Sequence, residues 1–587
     1  MNNWDLTYFC KDLQDFENKF TEVKELITKI STYKGQLGEE DKFTEFCLIE
    51  KEIFIKIGNI YEYASMGSHL DMKDVKKAGL LSRCQNLFNQ VMVATSFSEP
   101  EILSCGKAKI IAFIDNNQKI EEFRFIIEDM FRKAKHILST ESENILSTLA
   151  PNGQRAESLY SSLSIADNVA ETINLNGEKV QISQSNWTGL IANEKSARNR
   201  KKIFEALYKN YETHKNTYAA IYDGDLTANK ANAKVRGYDS VLESYLYENN
   251  IPTQVFTNLI GVASKKNSSL KKYYRLRKKY LHLTNHYSYD RFLPLATSKK
   301  QYTYEEAKEL FFASIKNCPK DFQEKAHEVL RDGFVDVYPK VGKRSGAYSS
   351  SWIDMHPFIL FNYDNQLEDV FTVVHESGHS IHSMYAMENQ PGMLQDYTIF
   401  VAEIASTFNE HMLLDHLMET GDLDKQTKIT LLQKAIDGIC STFYRQALFA
   451  QYEYEAAKLK DEDQAINCEV LSNIMVKLYK QYYGINIEKE KVKKYVWIYI
   501  PHLFYTPFYV YQYATSFAAS FKLYKNVKEN GNEAFAQYLN LLKSGGSKYP
   551  MDEAKDAGVD FTKKETFMAV VERMDELVNQ LEKLLEE

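Results

Sequence analysis

The sequence predicts a mainly α-helical protein. Gly (24) and Pro (11) are scarce among its 587 residues, and long stretches are built from Leu, Lys, Glu, Ala, Phe and Tyr, a composition that favours helices. Apolar residues recur at helical spacing through much of the chain, as in the stretch from Phe16 to Ile30. A chain of this length can bury a large core and should divide into at least two lobes. We therefore expect a large, helical, two-lobed protein.

Charge and cysteine content exclude several other classes of protein. Acidic residues outnumber basic ones, 80 to 72, which leaves a net charge of −8 and gives no support to a nucleic-acid partner. The seven cysteines are scattered, and none forms Cys-x-x-Cys, so neither a disulfide framework nor a thiolate metal site is indicated. The first residues carry charges and lack a continuous apolar core, so no signal peptide is visible. We expect a cytoplasmic protein.

The first 190 residues are expected to form a helical N-terminal lobe, and residues 191–587 a second domain. Within the first lobe, residues 171–183 carry Asn176-Gly177 between two short β-prone runs, a pattern typical of a hairpin. Helical patterning then resumes near Glu194 and continues to about Val335.

Two strand candidates follow, at Gly346–Ser351 and Pro357–Asn362, and they directly precede a further helix. A sheet edge beside a helix can accept an extended peptide as an additional strand. An ordinary hairpin packed on the helix is the alternative. Only the position of the strands directly before the helix favours a role in binding an extended peptide.

The helix after these strands contains His375, Glu376 and His379 in the spacing His-Glu-x-x-His. Residues i and i+4 lie on one face of a helix, so both imidazoles can bind one zinc ion. Glu376 lies one step round the helix and can reach a water molecule on that metal. The flanking residues, 370–374 and 380–386, contain no proline and continue the helix.

A third ligand is needed, because a catalytic zinc site takes three protein ligands and leaves one position for water. Residues 398–408 predict a helix whose otherwise apolar face is interrupted by Glu403. A buried carboxylate normally has a cation or a metal as its partner. Exposure to solvent is the alternative, which the apolar neighbours Val401 and Ile404 disfavour. Glu403 is therefore the predicted third ligand.

The segment 496–521 carries no formal charge and is long enough to span a bilayer. It also contains two prolines, five tyrosines, a histidine and a glutamine, and so many polar groups at bilayer depth would be costly. We expect this segment to form a buried, polar-lined wall in a protein that does not enter a membrane.

Taken together, these residues resemble the active site of the oligoendopeptidase F group, zinc peptidases of the thimet oligopeptidase superfamily. The resemblance covers about residues 195–575, in the order and spacing usual for the group. The motifs that carry it are His375-Glu376-x-Gly378-His379, Ala402–Thr407, Gly342–Ser350, Phe443–Gln446, Gly545–Pro550 and Ala557–Asp560.

The resemblance implies a role for each site residue. One zinc ion per chain would be held by His375, His379 and Glu403, in agreement with the spacing argument. Glu376 would take the proton from the attacking water and then pass a proton to the leaving amine. The oxyanion would be stabilised by the substrate-binding His502 and by Tyr513. Further substrate contacts are expected from Gly346, Ala347, Tyr348 and Tyr505.

Two more side chains have positions that suggest a role. His382 lies three residues beyond His379 and is counted among the substrate-binding residues, although a structural role fits it equally well. Glu410 lies two helical turns beyond Glu403 and could orient a zinc-bound histidine; solvation at the surface is the alternative.

We therefore predict a zinc endopeptidase that hydrolyses short unfolded oligopeptides by attack of a zinc-bound water, with residues 191–587 as the catalytic domain. By resemblance, the small β-sheet lies beside the zinc-binding helix and the active site in a deep channel between the lobes. One alternative is a dipeptidyl carboxypeptidase of the same superfamily. Another is a peptide-binding scaffold without catalysis, which the presence of Glu376 disfavours, because binding needs no general base.

Overall fold

The computed structural model describes residues 3–153, 155–298, 300–420 and 423–587, most of which are helical. In chain order the α-helices are α1 Leu13–Ser31, α2 Glu40–Leu70, α3 Val75–Thr95, α4 Ser98–Cys105, α5 Lys107–Asp115, α6 Arg124–Lys133, α7 Thr140–Gly153, α8 Arg155–Ser161, α9 Trp187–Asn193, α10 Ala197–Thr213, α11 Lys215–Val235, α12 Val241–Tyr247, α13 Thr253–Lys265 and α14 Ser268–Tyr280. They continue as α15 Tyr304–Ser314, α16 Lys320–Val329, α17 Leu367–Asn389, α18 Ile399–Glu419, α19 Lys425–Ile439, α20 Arg445–Asp461, α21 Cys468–Tyr483, α22 Val496–Tyr499, α23 His502–Tyr505, α24 Tyr511–Asn530, α25 Asn532–Leu542, α26 Pro550–Asp556 and α27 Lys564–Glu586. The strands are β1 Thr172–Leu175, β2 Glu178–Gln181, β3 Val335–Asp336, β4 Tyr348–Ser350 and β5 Phe358–Leu360.

The expected hairpin is present as the antiparallel pair of β1 and β2. Its two turn residues, Asn176 and Gly177, both have positive φ, 55° and 98°. That geometry matches the right-handed twist of the flanking strands, and Asn-Gly adopts it readily.

The chain folds into two compact units, each assembled from separate stretches of sequence. The first unit comprises Met1–Lys135, Lys300–Glu419 and Leu523–Gly558; the second comprises His136–Lys299, Thr420–Lys522 and Val559–Glu587. The expected domain division after residue 190 falls inside the second unit and stays a prediction.

In the first unit, α1 to α6 share a core built from apolar side chains of residues 10–127. The long helix α2 then connects this core to the small sheet. The Trp352 indole, two residues beyond β4, donates to the Phe54 carbonyl at 2.8 Å, and the Trp4 indole donates to the Ile359 carbonyl at 2.8 Å. The N-terminal helices therefore support the sheet from one side.

The sheet of the first unit has the order β3-β5-β4, with β3 parallel and β4 antiparallel to the central strand. Both expected strands are present as β4 and β5. The two-residue strand β3 was not expected, because helical patterning runs up to Val335. It is held in place by Asp336, whose buried carboxylate accepts from the Lys343 ammonium at 2.6 Å. The helix α17 packs on β4 and β5, so the predicted class is confirmed: mainly helical, with a small sheet beside the His375 helix.

In the second unit, α13, α14, α19 and α27 pack together, and α20 packs on α11, α13 and α21. The uncharged segment 496–521 forms α22, α23 and the first half of α24. Its Trp497 side chain is fully buried, as expected for the wall of a core. In the part of the chain that the structure describes, none of the helices is both long and apolar enough to cross a membrane.

Candidate metal centre and active site

The candidate metal centre lies where α17 and α18 of the first unit meet. Helix α17 begins at a capping box, in which the Gln366 backbone N–H donates to the Asp369 carboxylate at 2.9 Å, so the helix has a fixed start. Gly378 faces α18 so closely that an added Cβ would stand 2.6 Å from the Ala405 carbonyl oxygen. The absence of a side chain at Gly378 lets the two helix backbones approach at Ala405, two residues from Glu403.

Three donor atoms converge at this contact. The Nε2 atoms of His375 and His379 are 3.2 Å apart, and the Glu403 Oε2 atom lies 3.3 Å from the first and 3.5 Å from the second. A tetrahedral zinc ion with ligands at about 2.0–2.2 Å places neighbouring donor atoms about 3.3–3.6 Å apart. The spacing therefore fits one zinc ion held by three protein ligands, as the sequence predicts.

The protons of His375 support the same conclusion. Its Nδ1 atom lies 2.6 Å from the Glu410 carboxylate, which only accepts hydrogen bonds when ionised. The Nδ1–H group therefore donates to Glu410, and in the neutral imidazole Nε2 presents a lone pair towards the Glu403 oxygen. Two acceptors facing each other at this distance need either a proton or a metal ion between them.

Charge reinforces this preference. Burial alone would lower the pKa of His375, but the carboxylates of Glu403 and Glu410 outweigh it and raise that pKa well above its usual value. For Glu403 the signs are reversed. Burial would raise the pKa of its carboxyl, yet the two imidazoles hold that pKa well below its usual range. The site thus favours positive charge between its donors, and a metal ion can supply that charge without protonating the histidines.

Glu410→Gln is expected to weaken metal binding about 10–100-fold, the usual effect of removing a partner that orients a metal-ligating histidine. The amide keeps the size of the side chain but loses the charge that holds the His375 Nδ1–H group. A zinc titration against a competing chelator measures the change. The control is Glu419→Gln, an exposed position on the same helix; unchanged affinity in Glu410→Gln would remove this residue from the site.

The expected general base, Glu376, lies on α17 beside the donors and is buried, with 7 % of its surface exposed. Burial raises the pKa of Glu376, an effect that the positive charges of His375 and His379 oppose. The backbone of Ser349, in the centre of β4, is close enough to this carboxylate to lower its pKa. The Ser349 hydroxyl lies 2.8 Å from the Ser380 hydroxyl of α17. The edge strand and the base are therefore held together.

The expected substrate residues Gly346, Ala347 and Tyr348 lead into β4 and start it. Gly346 has φ of +83°, a conformation open to glycine without strain, and its carbonyl accepts from the Asn362 side chain at 2.7 Å. The Tyr348 hydroxyl lies 2.7 Å from the His69 Nδ1 atom of α2. The strand thus enters the site in a fixed conformation.

His382 is placed differently from the other histidines of α17. It is 1 % exposed and stacks on Tyr397, with 3.6 Å between ring centres. Burial lowers the pKa of His382 to about 3, which keeps the ring neutral. The structural role left open by the sequence accounts for this packing; its assignment as a substrate contact stays a prediction.

The remaining expected residues belong to the second unit. His502 and Tyr513 pack edge to face with ring centres 6.2 Å apart, and Tyr509 lies against both of them. Burial lowers the pKa of His502. The Tyr505 hydroxyl lies 2.7 Å from the Ser161 hydroxyl, away from this cluster of three rings. Tyr511 is buried against Phe256 and serves the core.

Several residues around these groups were missed by the sequence reasoning. His69 of α2 contacts Tyr348, although nothing in its local sequence marks it. Glu453 is more instructive: its carboxylate accepts from the Phe508 backbone N–H at 2.8 Å and holds a residue with φ of +54° between His502 and Tyr513. A carboxylate among the apolar residues of α20 is the same signal that identified Glu403.

Comparison with known proteins agrees with this geometry. The profile of Peptidase family M3 matches residues 190–573, and that of Oligopeptidase F matches residues 101–168. Oligopeptidase PepF of Bacillus subtilis is 34 % identical over 587 residues, which cover 100 % of this chain and 87 % of the relative. An oligoendopeptidase F homolog of Borreliella burgdorferi is 34 % identical over 96 % of this chain and 95 % of its own.

Solved structures show the same relationship. A chain from Chlamydophila abortus superposes with a TM-score of 0.90 at 30 % identity, over 99 % of this chain and 98 % of its own. Oligoendopeptidase-F from Enterococcus faecium has a TM-score of 0.75 at 29 % identity, over 98 % and 99 % of the two chains. The family resemblance carried by the motifs is confirmed, and this chain belongs to peptidase family M3 and is a metallopeptidase.

Proposed function

We propose that this chain is a zinc endopeptidase that hydrolyses short unfolded oligopeptides in the cytoplasm. The observation that carries the proposal is the convergence of the His375, His379 and Glu403 donor atoms at the edge lengths of a zinc tetrahedron, with Glu376 beside them. The names of the relatives, oligopeptidase and oligoendopeptidase, support short peptides as substrates.

Each residue of the first unit has a definable task. When bound, zinc lowers the pKa of a coordinated water towards ~7 and polarises a carbonyl oxygen. His375, His379 and Glu403 hold the ion, and Glu410 fixes the tautomer of His375. Glu376 accepts the proton of the attacking water on its carboxylate and then delivers a proton to the leaving amine. The pKa of Glu376, raised by burial, makes its carboxylate a stronger base for the first of these transfers.

The edge of β4 supports an extended substrate. This strand is the last of the order β3-β5-β4, and its central residue Ser349 is close enough to Glu376 to lower the pKa of that carboxylate. A peptide that adds to β4 as a further strand therefore passes directly beside Glu376. Such binding requires an unfolded chain, because the backbone groups of a folded protein are already paired.

His502 and Tyr513 are the proposed donors to the oxyanion. One such donor contributes about 2.7–4 kcal/mol to the stabilisation of the transition state. The lowered pKa of His502 leaves its imidazole neutral at pH 7, and a neutral ring still donates through one N–H group. Tyr505 is proposed as a substrate contact.

The thiols support the proposed compartment. All seven cysteines are free, as is usual in a reducing cytoplasm. The deep channel that would exclude folded substrates is part of the proposal and is tested by substrate size.

Cleavage of a mixed peptide library, mapped by mass spectrometry, tests the proposed function. We expect internal cleavage of peptides of roughly ten residues, complete loss of cleavage with a zinc chelator, and recovery on adding zinc, because the bound water needs the metal for ionisation. The control is a folded protein that contains the sequences of cleaved library peptides, and it should remain intact. Cleavage that continues in the chelator, or equal digestion of the folded protein, would contradict the proposal.

A further inference from the structure

Arg344, His69 and Tyr348 form a polar cluster at the start of the edge strand β4. One guanidinium nitrogen of Arg344 lies 2.9 Å from His69 Nε2, and His69 Nδ1 lies 2.7 Å from the Tyr348 hydroxyl. The guanidinium carbon stands 5.2 Å from the centre of the Tyr348 ring. The backbone is fixed as well, since the Arg344 N–H donates to the His69 carbonyl at 2.8 Å.

The protons of this cluster can be assigned from its contacts. A guanidinium group only donates hydrogen bonds, so His69 accepts at Nε2 and carries its proton on Nδ1. That Nδ1–H group donates to the Tyr348 oxygen, which leaves the phenol proton for another acceptor. Burial, and then the charge of Arg344, lower the pKa of His69 to about 4, so the ring stays neutral and this arrangement holds at pH 7.

The cluster therefore presents a positive charge and donors that its own acceptors do not use up. Arg344 is exposed, and among the residues that the structure describes no carboxylate forms an ion pair with it. Apart from His69, no hydrogen-bond acceptor for the Arg344 guanidinium or for the Tyr348 phenol proton is found among the residues that the structure describes. A carboxylate is the ligand that such a pair of donors fits, because a guanidinium binds it through two parallel hydrogen bonds.

The direction of β4 decides which end of a substrate reaches this cluster. A peptide that pairs antiparallel with β4 runs from Ser350 towards Tyr348, so its C-terminal half lies on the side of Arg344. A parallel peptide would place its N-terminal half there, and a positive charge at its amino terminus would be repelled. The charge of the cluster thus favours the antiparallel direction.

We propose that Arg344 and Tyr348 bind a carboxylate on the C-terminal side of the scissile bond, with His69 as the residue that positions both donors. The carboxylate is either the C-terminus of a short peptide or an Asp or Glu side chain at the same distance from the cleaved bond. This inference rests on the proposed function and names the chemical group by which the same site selects its substrates.

Steady-state kinetics on matched peptides tests the assignment. One cleavable peptide is prepared with a free C-terminus, with an amidated C-terminus, and amidated with Glu in place of its last residue. Arg344→Gln is expected to raise KM for the free acid about 10-fold or more, the usual effect of losing a hydrogen bond between charged groups, with kcat little changed. For the amidated peptide, the KM of Arg344→Gln should equal that of the unaltered protein. Arg344→Lys should recover part of the lost affinity for the free acid, since lysine keeps the charge but cannot form two parallel hydrogen bonds.

The other arms identify the ligand and the positioning role. If the amidated peptide with Glu also loses affinity in Arg344→Gln, an acidic side chain is bound; if only the free acid does, the C-terminus is the ligand. Tyr348→Phe should raise KM for the same peptides, and His69→Phe should do so without removing a direct contact. Arg331→Gln, an exposed arginine that pairs with Glu328 in the same unit, is the matched control.

Equal KM changes for all three peptides, or no change for any of them, would overturn the assignment. Acetylation of the peptide amino terminus should leave the effect of Arg344→Gln unaltered; an effect that appears only with a free amino terminus would mean the opposite substrate direction. Failure of the proposed function is a separate result, because the unaltered protein would then cleave neither the acid nor the amide.

Discussion

Glu376→Gln is expected to keep its metal and lose turnover about 10²–10⁴-fold, the range that a general base contributes. The amide has the size of the carboxylate and leaves the donors His375, His379 and Glu403 in place. It cannot accept a proton from water, and it cannot return one to the leaving amine. Stopped and continuous assays on a fluorogenic peptide give kcat, and elemental analysis of the purified protein gives the metal content.

The matched control for this variant is Glu368→Gln, an exposed position in the first turn of the same helix, which should behave as the unaltered protein. A Glu376→Gln enzyme that retained a tenth of its kcat with full metal occupancy would remove Glu376 from the proton transfers. Loss of metal together with activity would instead show that the carboxylate supports the metal centre.

Gly378→Ala is expected to cost both stability and metal. The new Cβ would stand 2.6 Å from the Ala405 carbonyl oxygen and 2.6 Å from the Ser406 Cα atom, and neither backbone group can turn away as a side chain would. The helices must separate, which costs about 1–3 kcal/mol or more in overpacking. Separation also carries Glu403, two residues from Ala405, away from the imidazoles. Thermal unfolding and a zinc titration against a chelator measure the two losses.

Gly79→Ala on α3 is the control for that substitution. Its added Cβ would meet nothing within 4 Å, so alanine should stabilise the helix by about 0.5–1 kcal/mol. If Gly378→Ala melted and bound zinc as the unaltered protein does, the close approach of the two helices would not be what forms the metal centre.

The convergence of His375, His379 and Glu403 was predictable because its signals are local or chemically rare. The spacing of His375 and His379 places both rings on one face of a helix by geometry alone. Glu403 stands out as a carboxylate among apolar neighbours, and the structure brings its oxygen to both imidazoles. The hairpin at Asn176-Gly177 and the strands on either side of Trp352 carry turn and strand signals of the same local kind.

Other features depend on contacts between distant parts of the chain, which periodicity does not report. The strand β3 is only two residues long and exists because Phe334 and Asp336 carbonyls accept from β5. His69 reaches Tyr348 across 279 residues of sequence. The interleaving of the two units also depends on distant contacts. No composition shift marks residues 135 or 299, because both units are mainly helical.

That interleaving has a consequence for biosynthesis. A ribosome that has released residues up to 419 has delivered every donor of the metal centre, yet α25, whose Phe535 packs on Phe322 and Phe408 of the first unit, has not been made. The core of the second unit is completed later still, because it includes the apolar face of α27, the last helix to be synthesised. At roughly 5–20 residues per second, synthesis of these last segments takes on the order of ten seconds. During that time the nascent chain holds the proposed zinc ligands on an unfinished core, and we expect proteolytic activity to arise only after both units have folded.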